Sequence, residues 1–184
     1  MTFDPGSANK CIAFWREAGY AKWFVRDAAF DAEFKARFLD SHFAAARREL
    51  EQWMDSADGA LALLILLDQF PRNAFRGGAH AYATDPLARH YAERMIAAGF
   101  DGRIEPALRA FCYLPFEHSE DAADQERAVE LFETLGDANY LRYAQMHRDL
   151  IVRFGRFPHR NRALARNNTA DEQAWLDAGG GFEG

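Results

Sequence analysis

Residues 60–67 read Ala60-Leu61-Ala62-Leu63-Leu64-Ile65-Leu66-Leu67, and the chain turns polar at once in Asp68-Gln69-Phe70-Pro71-Arg72-Asn73. Eight apolar residues in a row leave no face for water. As a helix, the run must be covered on every side, so it marks the centre of the fold. A bilayer-crossing helix needs about twenty such residues, so a membrane partner is not expected. Asp68 falls on a continuation of this buried helix, seven residues after Leu61. A carboxylate there is costly to desolvate alone and must be paired, with Arg72 and Arg76 within reach. Pro71 is expected to stop the helix, and Gly77-Gly78 to allow a tight path after it.

Helical spacing dominates on both sides of this run, with no strand alternation, and the fold class is read as all-α. Ser7 caps a first helix through about Ala18, ended by Gly19. A second runs from Asp31 to about Met54, with Phe34, Phe38, Phe43 and Leu50 along one face. Residues 55–59 form a turn. Asp85-Pro86 reads as a capping acid followed by a first-turn proline, and that helix ends at Gly99. Pro106 starts a short helix to Tyr113, stopped by Pro115. Ser119 caps a helix to Leu135, and Asp137 to Phe154 carries the cleanest stripe: Tyr140, Ala144, His147, Ile151 and Phe154. Thr169-Ala170-Asp171-Glu172 is a capping box before Trp175. About seven helices with short connections are expected to pack as antiparallel pairs in layers.

The 184 residues make one domain, 1–184, with a frayed tail at 179–184. Hydrophobic residues form 49% of the chain, with 16 Phe, which a folded core requires and a disordered chain lacks. A net charge of −6 argues against nucleic acid, whose binding surfaces are broadly basic. Residues 1–6 lack the pattern of a secretion signal, and a soluble, cytoplasmic protein is expected. Cys11 and Cys112 sit among apolar neighbours and form neither a disulfide framework nor a metal knuckle. With no phosphate loop and no dinucleotide fingerprint, no cofactor is called for.

The most specific feature is an echo. Phe70-Pro71-Arg72-Asn73 recurs, with one residue inserted, as Phe157-Pro158-His159-Arg160-Asn161. The second copy lies in an acid-free stretch, 150–170, that also holds Arg153, Arg156, Arg162 and Arg166. Guanidinium forks match carboxylates and phosphates. A pocket uniting the two copies would bind a small anionic molecule or a peptide. Arg72, Arg76, Arg156 and Arg160 would grip it, Asn73, Asn161, His118 and His159 would orient it, and Asp68 and Glu120 would hold the arginines. A second reading is a hydrolase with His118 or His159 as general base beside an Arg clamp. A third is structural: acids between Glu117 and Asp137 simply neutralise the Arg loops. His147, on an apolar stripe, reads as a hydrogen-bonded core histidine, and His42, His80 and His90 as packing or surface residues. No spacing matches a metal motif. A homo-oligomer is left open.

Three stretches carry a resemblance over nearly the whole chain. They are Leu67-Asp68-Gln69-Phe70-Pro71-Arg72-Asn73 with Arg76-Gly77, Tyr113-Leu114-Pro115-Phe116-Glu117-His118-Ser119-Glu120 with Asp124-Gln125, and Phe154-Gly155-Arg156-Phe157-Pro158-His159-Arg160-Asn161. With the opening Phe14-Trp15, they resemble a bacterial family catalogued as domain of unknown function number nine hundred and twenty-four. The resemblance implies a tetratricopeptide-like helical fold and brings no established activity. It also implies a variable position at Phe116-Glu117, which lowers the interest of Glu117 as a ligand.

Overall fold

The computed structural model describes residues 6–181, and among them there are helices and turns but no strand. In chain order the helices are α1 (Gly6–Ala18), α2 (Tyr20–Trp23), α3 (Ala28–Ala46), α4 (Ala57–Leu64), α5 (Phe70–Ala74), α6 (Asp85–Ala97), α7 (Pro106–Arg109), α8 (Leu114–Glu117), α9 (Ala122–Leu135), α10 (Ala138–Phe154) and α11 (Ala170–Asp177). Single 3₁₀ turns join several of them. Residues 1–5, read as lacking a secretion-signal pattern, and the last residues of the expected frayed tail, 182–184, lie outside the described residues. Gly179 and Gly180 close α11 with backbone bonds to Leu176 and Trp175.

The apolar run is the centre. Leu61, Leu63, Leu64, Ile65, Leu66 and Leu67 are all buried, packed between α1, α3, α6 and the 3₁₀ turn Glu51–Asp55. Each such side chain contributes roughly 1.5–3 kcal/mol relative to exposure. An aromatic cluster of Phe14, Trp15, Phe30, Phe34 and Phe70 joins α1, α3 and α5 to it.

Several helix limits differ from the sequence expectation, each for a local reason. The helix expected from Asp31 to Met54 ends at Ala46 instead. Arg48 takes a left-handed φ of 63°, and Leu50, Trp53 and Met54 fold beneath α4 to be buried there. The expected turn 55–59 is shorter, because Ser56 caps α4 by accepting from the Gly59 N–H at 3.1 Å. Gly59 is therefore helical, and a β-carbon there would sit 2.2 Å from the Trp53 carbonyl oxygen. Ser119 does not cap α9. Asp121 does, while the Ser119 hydroxyl donates to Asp124 at 2.6 Å. Pro115 lies inside α8 at a helix start, where its missing N–H costs nothing. The capping box at Thr169 is as the sequence indicates, and left-handed glycines end α9 and α10 (Gly136 φ 79°, Gly155 φ 70°).

Pro71 does not stop the central helix. The chain passes through it by way of a π-helical segment, Ile65–Gln69, in which the Phe70 N–H reaches back to the Ile65 carbonyl. This leaves carbonyls that an unbroken α-helix would satisfy. His42 Nδ1 donates to the Leu66 carbonyl at 2.8 Å, the Thr84 hydroxyl donates to that of Leu67, and Arg72 Nη1 donates to that of Asp68 at 2.8 Å. Side chains thus replace the donors that proline and the wider turn remove. Thr84, with its hydroxyl so used, does not cap α6, and Asp85 is not a cap either: its carboxylate goes to Arg72.

Candidate functional site

Gln69, at the end of the π segment, lines a cavity of about 230 Å³, and Asp68 lies behind that lining, against His118 and Arg72. Asp68 is buried and accepts from Gln69 Nε2 at 2.6 Å and His118 Nδ1 at 2.7 Å, with Arg72 Nη1 at 3.1 Å. Burial alone would raise its pKa, but the Arg72 charge and His118 overcome that and hold it at about 2. An ionised Asp68 can only accept, so His118 carries its proton on Nδ1 and keeps an acceptor lone pair on Nε2. Burial first, and then Arg72, hold His118 below the usual histidine range against the pull of Asp68. His118 is therefore a neutral imidazole near pH 7.

Arg76 does not join Asp68. Its Nε donates to Asp31 on α3 at 2.7 Å, and Asn73 Nδ2 donates to the same carboxylate at 2.7 Å. Arg72 also forms a two-pronged pair with Asp85, at 2.8 and 2.9 Å. Both guanidinium charges of this copy are matched by carboxylates, while Arg72, Asn73, Arg76 and His118 still line the cavity.

The opposite wall comes from α10 and α2. Asn139, Tyr140, Tyr143 and His147 share one face of α10 through spacings of three, four and seven, and Tyr20, Trp23 and Phe24 stand across from them. Tyr20, Phe24 and Tyr143 are 55%, 37% and 38% exposed, so the mouth is an open aromatic rim. Glu117 sits deeper, buried, with His147 Nδ1 at 3.2 Å from its Oε1. That nitrogen lies closer to the Tyr143 carbonyl, at 2.9 Å, which requires it to be the donor. Burial and then the Asp68 charge push Glu117 up to about 8, against the opposing pull of Arg72, and burial holds His147 well below its ordinary value. Near pH 7 the contact thus joins two neutral groups.

The second copy is placed differently. Arg160 meets Arg72 at Asp85, 3.4 Å away, and both guanidinium groups lie over the Tyr82 ring. The two echoed bends therefore do meet, but through a shared carboxylate and a ring. Arg156 pairs with Glu172 at 2.6 and 2.8 Å. Asn161 bonds Asn168 and Arg166, and Glu120 holds Arg166 at 2.6 and 2.9 Å and the Phe157 N–H at 2.8 Å. His159 packs near Phe157, and burial holds it down to about 4. None of Glu120, Arg156, His159, Arg160 and Asn161 lines the 230 Å³ cavity. A second cavity of about 240 Å³ is bounded by Tyr82, Asp85, Glu120 and Arg160, and His118 lines both.

In the sequence, Glu117 is set aside as a ligand, His147 and Tyr140 read as members of an apolar stripe, and Tyr143 is not marked out at all. The readable signal was the α10 stripe itself, whose inward face is more polar than a core helix needs. Cys11 and Cys112 are buried free thiols, raised well above the usual range by burial.

The model of a family described as "Bacterial protein of unknown function (DUF924)" matches residues 11–180. The chain belongs to this family. A solved structure titled "Structure of Protein of Unknown Function ATU0120 from Agrobacterium tumefaciens" is 53% identical, with a TM-score of 0.92, covering 94% of this chain and 98% of that one. No curated protein matches the chain. Identity at that level over nearly the full length of both chains means that this DUF924 protein shares its all-helical architecture with the solved relative. Among the described residues of this DUF924 chain, no helix is long and apolar enough to cross a membrane.

Proposed function

We propose that this DUF924 protein binds a small organic molecule bearing an acid group, in the 230 Å³ cavity between the central helix and α10. The observation that carries the reading is the division of that cavity. One side presents Arg72, Asn73, Arg76 and His118, and the other presents Tyr20, Trp23, Phe24, Tyr140 and Tyr143. Ligand sites typically combine such an apolar wall with a few convergent polar groups. Arg76 gives Nε and Nη2 to Asp31, and a guanidinium has five N–H groups, so donors remain for an acid. The Arg clamp is narrower than the echo suggested: it consists of Arg72 and Arg76, without Arg156 or Arg160. A panel of aromatic and aliphatic carboxylates, organic phosphates and inorganic phosphate, followed by thermal shift, tests the proposal. An acid with an apolar body at a hundred times its Kd stabilises by about 2.7 kcal/mol, and Tyr143→Ala weakens that effect. No stabilisation by any acid of the panel refutes it.

One observation favours a second, catalytic reading. Asp68 fixes the His118 tautomer that leaves Nε2 as a base at the cavity, which a hydrolase with His118 as general base would require. His159, which does not line that cavity, drops out of this reading. Hydrolytic activity unchanged in His118→Ala would remove it.

A further inference from the structure

We infer that the inner end of this cavity is a recognition site for a protonated amine, with Glu117 as its counter-charge. Resting on the cavity reading above, this makes the ligand a small molecule carrying both an amine and an acid group. Glu117 Oε2 is buried and, among the described residues, meets no hydrogen-bond partner in the protein. Its other oxygen receives only a share of the His147 N–H, which serves the Tyr143 carbonyl more closely. Tyr140 Oη is a second buried atom without a partner, and it belongs to the same cavity lining. Buried polar atoms are almost always paired, and leaving one unpaired costs about 1–3 kcal/mol. Two such atoms lining one cavity point to groups that a ligand supplies.

The sign of that ligand follows from the neighbours. Asp68 and Arg72 on the central helix, His118 beside Glu117, and Tyr140 and His147 on α10 are the ionisable groups around it. His118 and His147 are held neutral, and Asp68 acts on Glu117 more strongly than Arg72 does. Burial is the larger cause that keeps the proton on Glu117, and the Asp68 charge, which adds to it, favours a cation over an anion at the same place. Tyr20, Trp23, Phe24, Tyr140 and Tyr143 add ring faces, which attract ammonium groups and repel anions. The acid group of the ligand is left to the Arg72 and Arg76 side. Binding is an exchange: the ammonium group enters as a cation, the Glu117 carboxyl releases its proton to solvent, and the two form an ion pair.

Isothermal titration of the whole chain with 2-phenylethylamine, 3-phenylpropionate and phenylalanine, at pH 6, 7 and 8, tests this. The amine and the zwitterion are expected to bind, the zwitterion more tightly. Amine affinity should rise about tenfold from pH 6 to 7 and about fivefold from pH 7 to 8, with close to one proton released per ligand at pH 6 and about half a proton at pH 8. Glu117→Gln should weaken the amine at least tenfold at pH 8 and flatten its pH dependence, while leaving 3-phenylpropionate unchanged. Tyr140→Phe should weaken the amine severalfold and serves as the independent variant if Glu117→Gln does not fold. Binding of 3-phenylpropionate without the amine, or amine binding indifferent to these substitutions, overturns this inference and leaves the cavity reading standing. Failure of all three compounds overturns this inference, and the acid panel above then decides the cavity reading.

Discussion

Glu117→Gln offers a stability measurement that needs no ligand. In the unfolded chain the Glu117 carboxyl titrates near its ordinary 4.5, and in the folded protein near 8. Below about pH 4.5 it is neutral in both states and adds nothing to the pH dependence. From there to about pH 8 the unfolded chain has released a proton that the folded chain still holds. Stability therefore falls as pH rises, by about 1.4 kcal/mol for each pH unit in the window. The ceiling over the whole window is about 5 kcal/mol, and hydration through the open mouth reduces it, so about 2–3 kcal/mol is the working expectation. Glutamine mimics the neutral acid at every pH. The variant should match the wild type near pH 5 and exceed it by that amount near pH 9. Urea unfolding followed by circular dichroism at pH 5, 7 and 9 measures this as a variant-minus-wild-type difference. Taking the difference cancels His42, His118, His147 and His159, which burial holds below their ordinary values. Their contribution is lost in the opposite direction, as pH falls. A difference that stays flat from pH 5 to pH 9, or that favours the wild type at high pH, refutes a buried, protonated Glu117.

Two further substitutions test how the fold carries the site. Thr84→Val keeps the shape of a buried side chain but removes the hydroxyl that serves the Leu67 carbonyl. Denaturant unfolding should show a loss of about 1–3 kcal/mol, the penalty for an orphaned buried acceptor, and no loss would mean that the π segment does not depend on Thr84. Gly59→Ala places a methyl group 2.2 Å from the Trp53 carbonyl oxygen, so despite the better helix propensity of alanine the melting temperature should fall. A variant as stable as the wild type would show that the 3₁₀ turn under α4 yields easily.

The echoed bends show how far a local pattern reaches. Both copies follow an apolar helical run and both end near Asp85, yet only the first faces the aromatic-walled cavity. Carboxylates match the arginines of both bends, so what separates the bends is where the cavity opens. Glu120 and Glu172 come from other parts of the chain and engage Arg166 and Arg156, and the second bend becomes packing. Glu120 was expected to hold the arginines of the proposed grip (Arg72, Arg76, Arg156 and Arg160), and its guanidinium partner is Arg166. Glu117 shows the reverse: nothing in its local sequence distinguishes it from the other acids of its stretch, and only burial beside Asp68 changes its chemistry.

Composition and helical spacing by themselves determined the all-α class, the central position of 60–67, the capping box at Thr169 and the need for a partner at Asp68, because these depend on the water preference and backbone geometry of neighbours in sequence. Tertiary structure alone decided that the helix runs on through Pro71, since the donors that make this possible belong to His42 and Thr84, 24 and 17 residues from the carbonyls they serve. It also decided which arginines reach a cavity, what walls that cavity, and where Glu117 keeps its proton. Those outcomes depend on charges and surfaces brought together from distant segments, and the free energy of a charge depends on its surroundings in space.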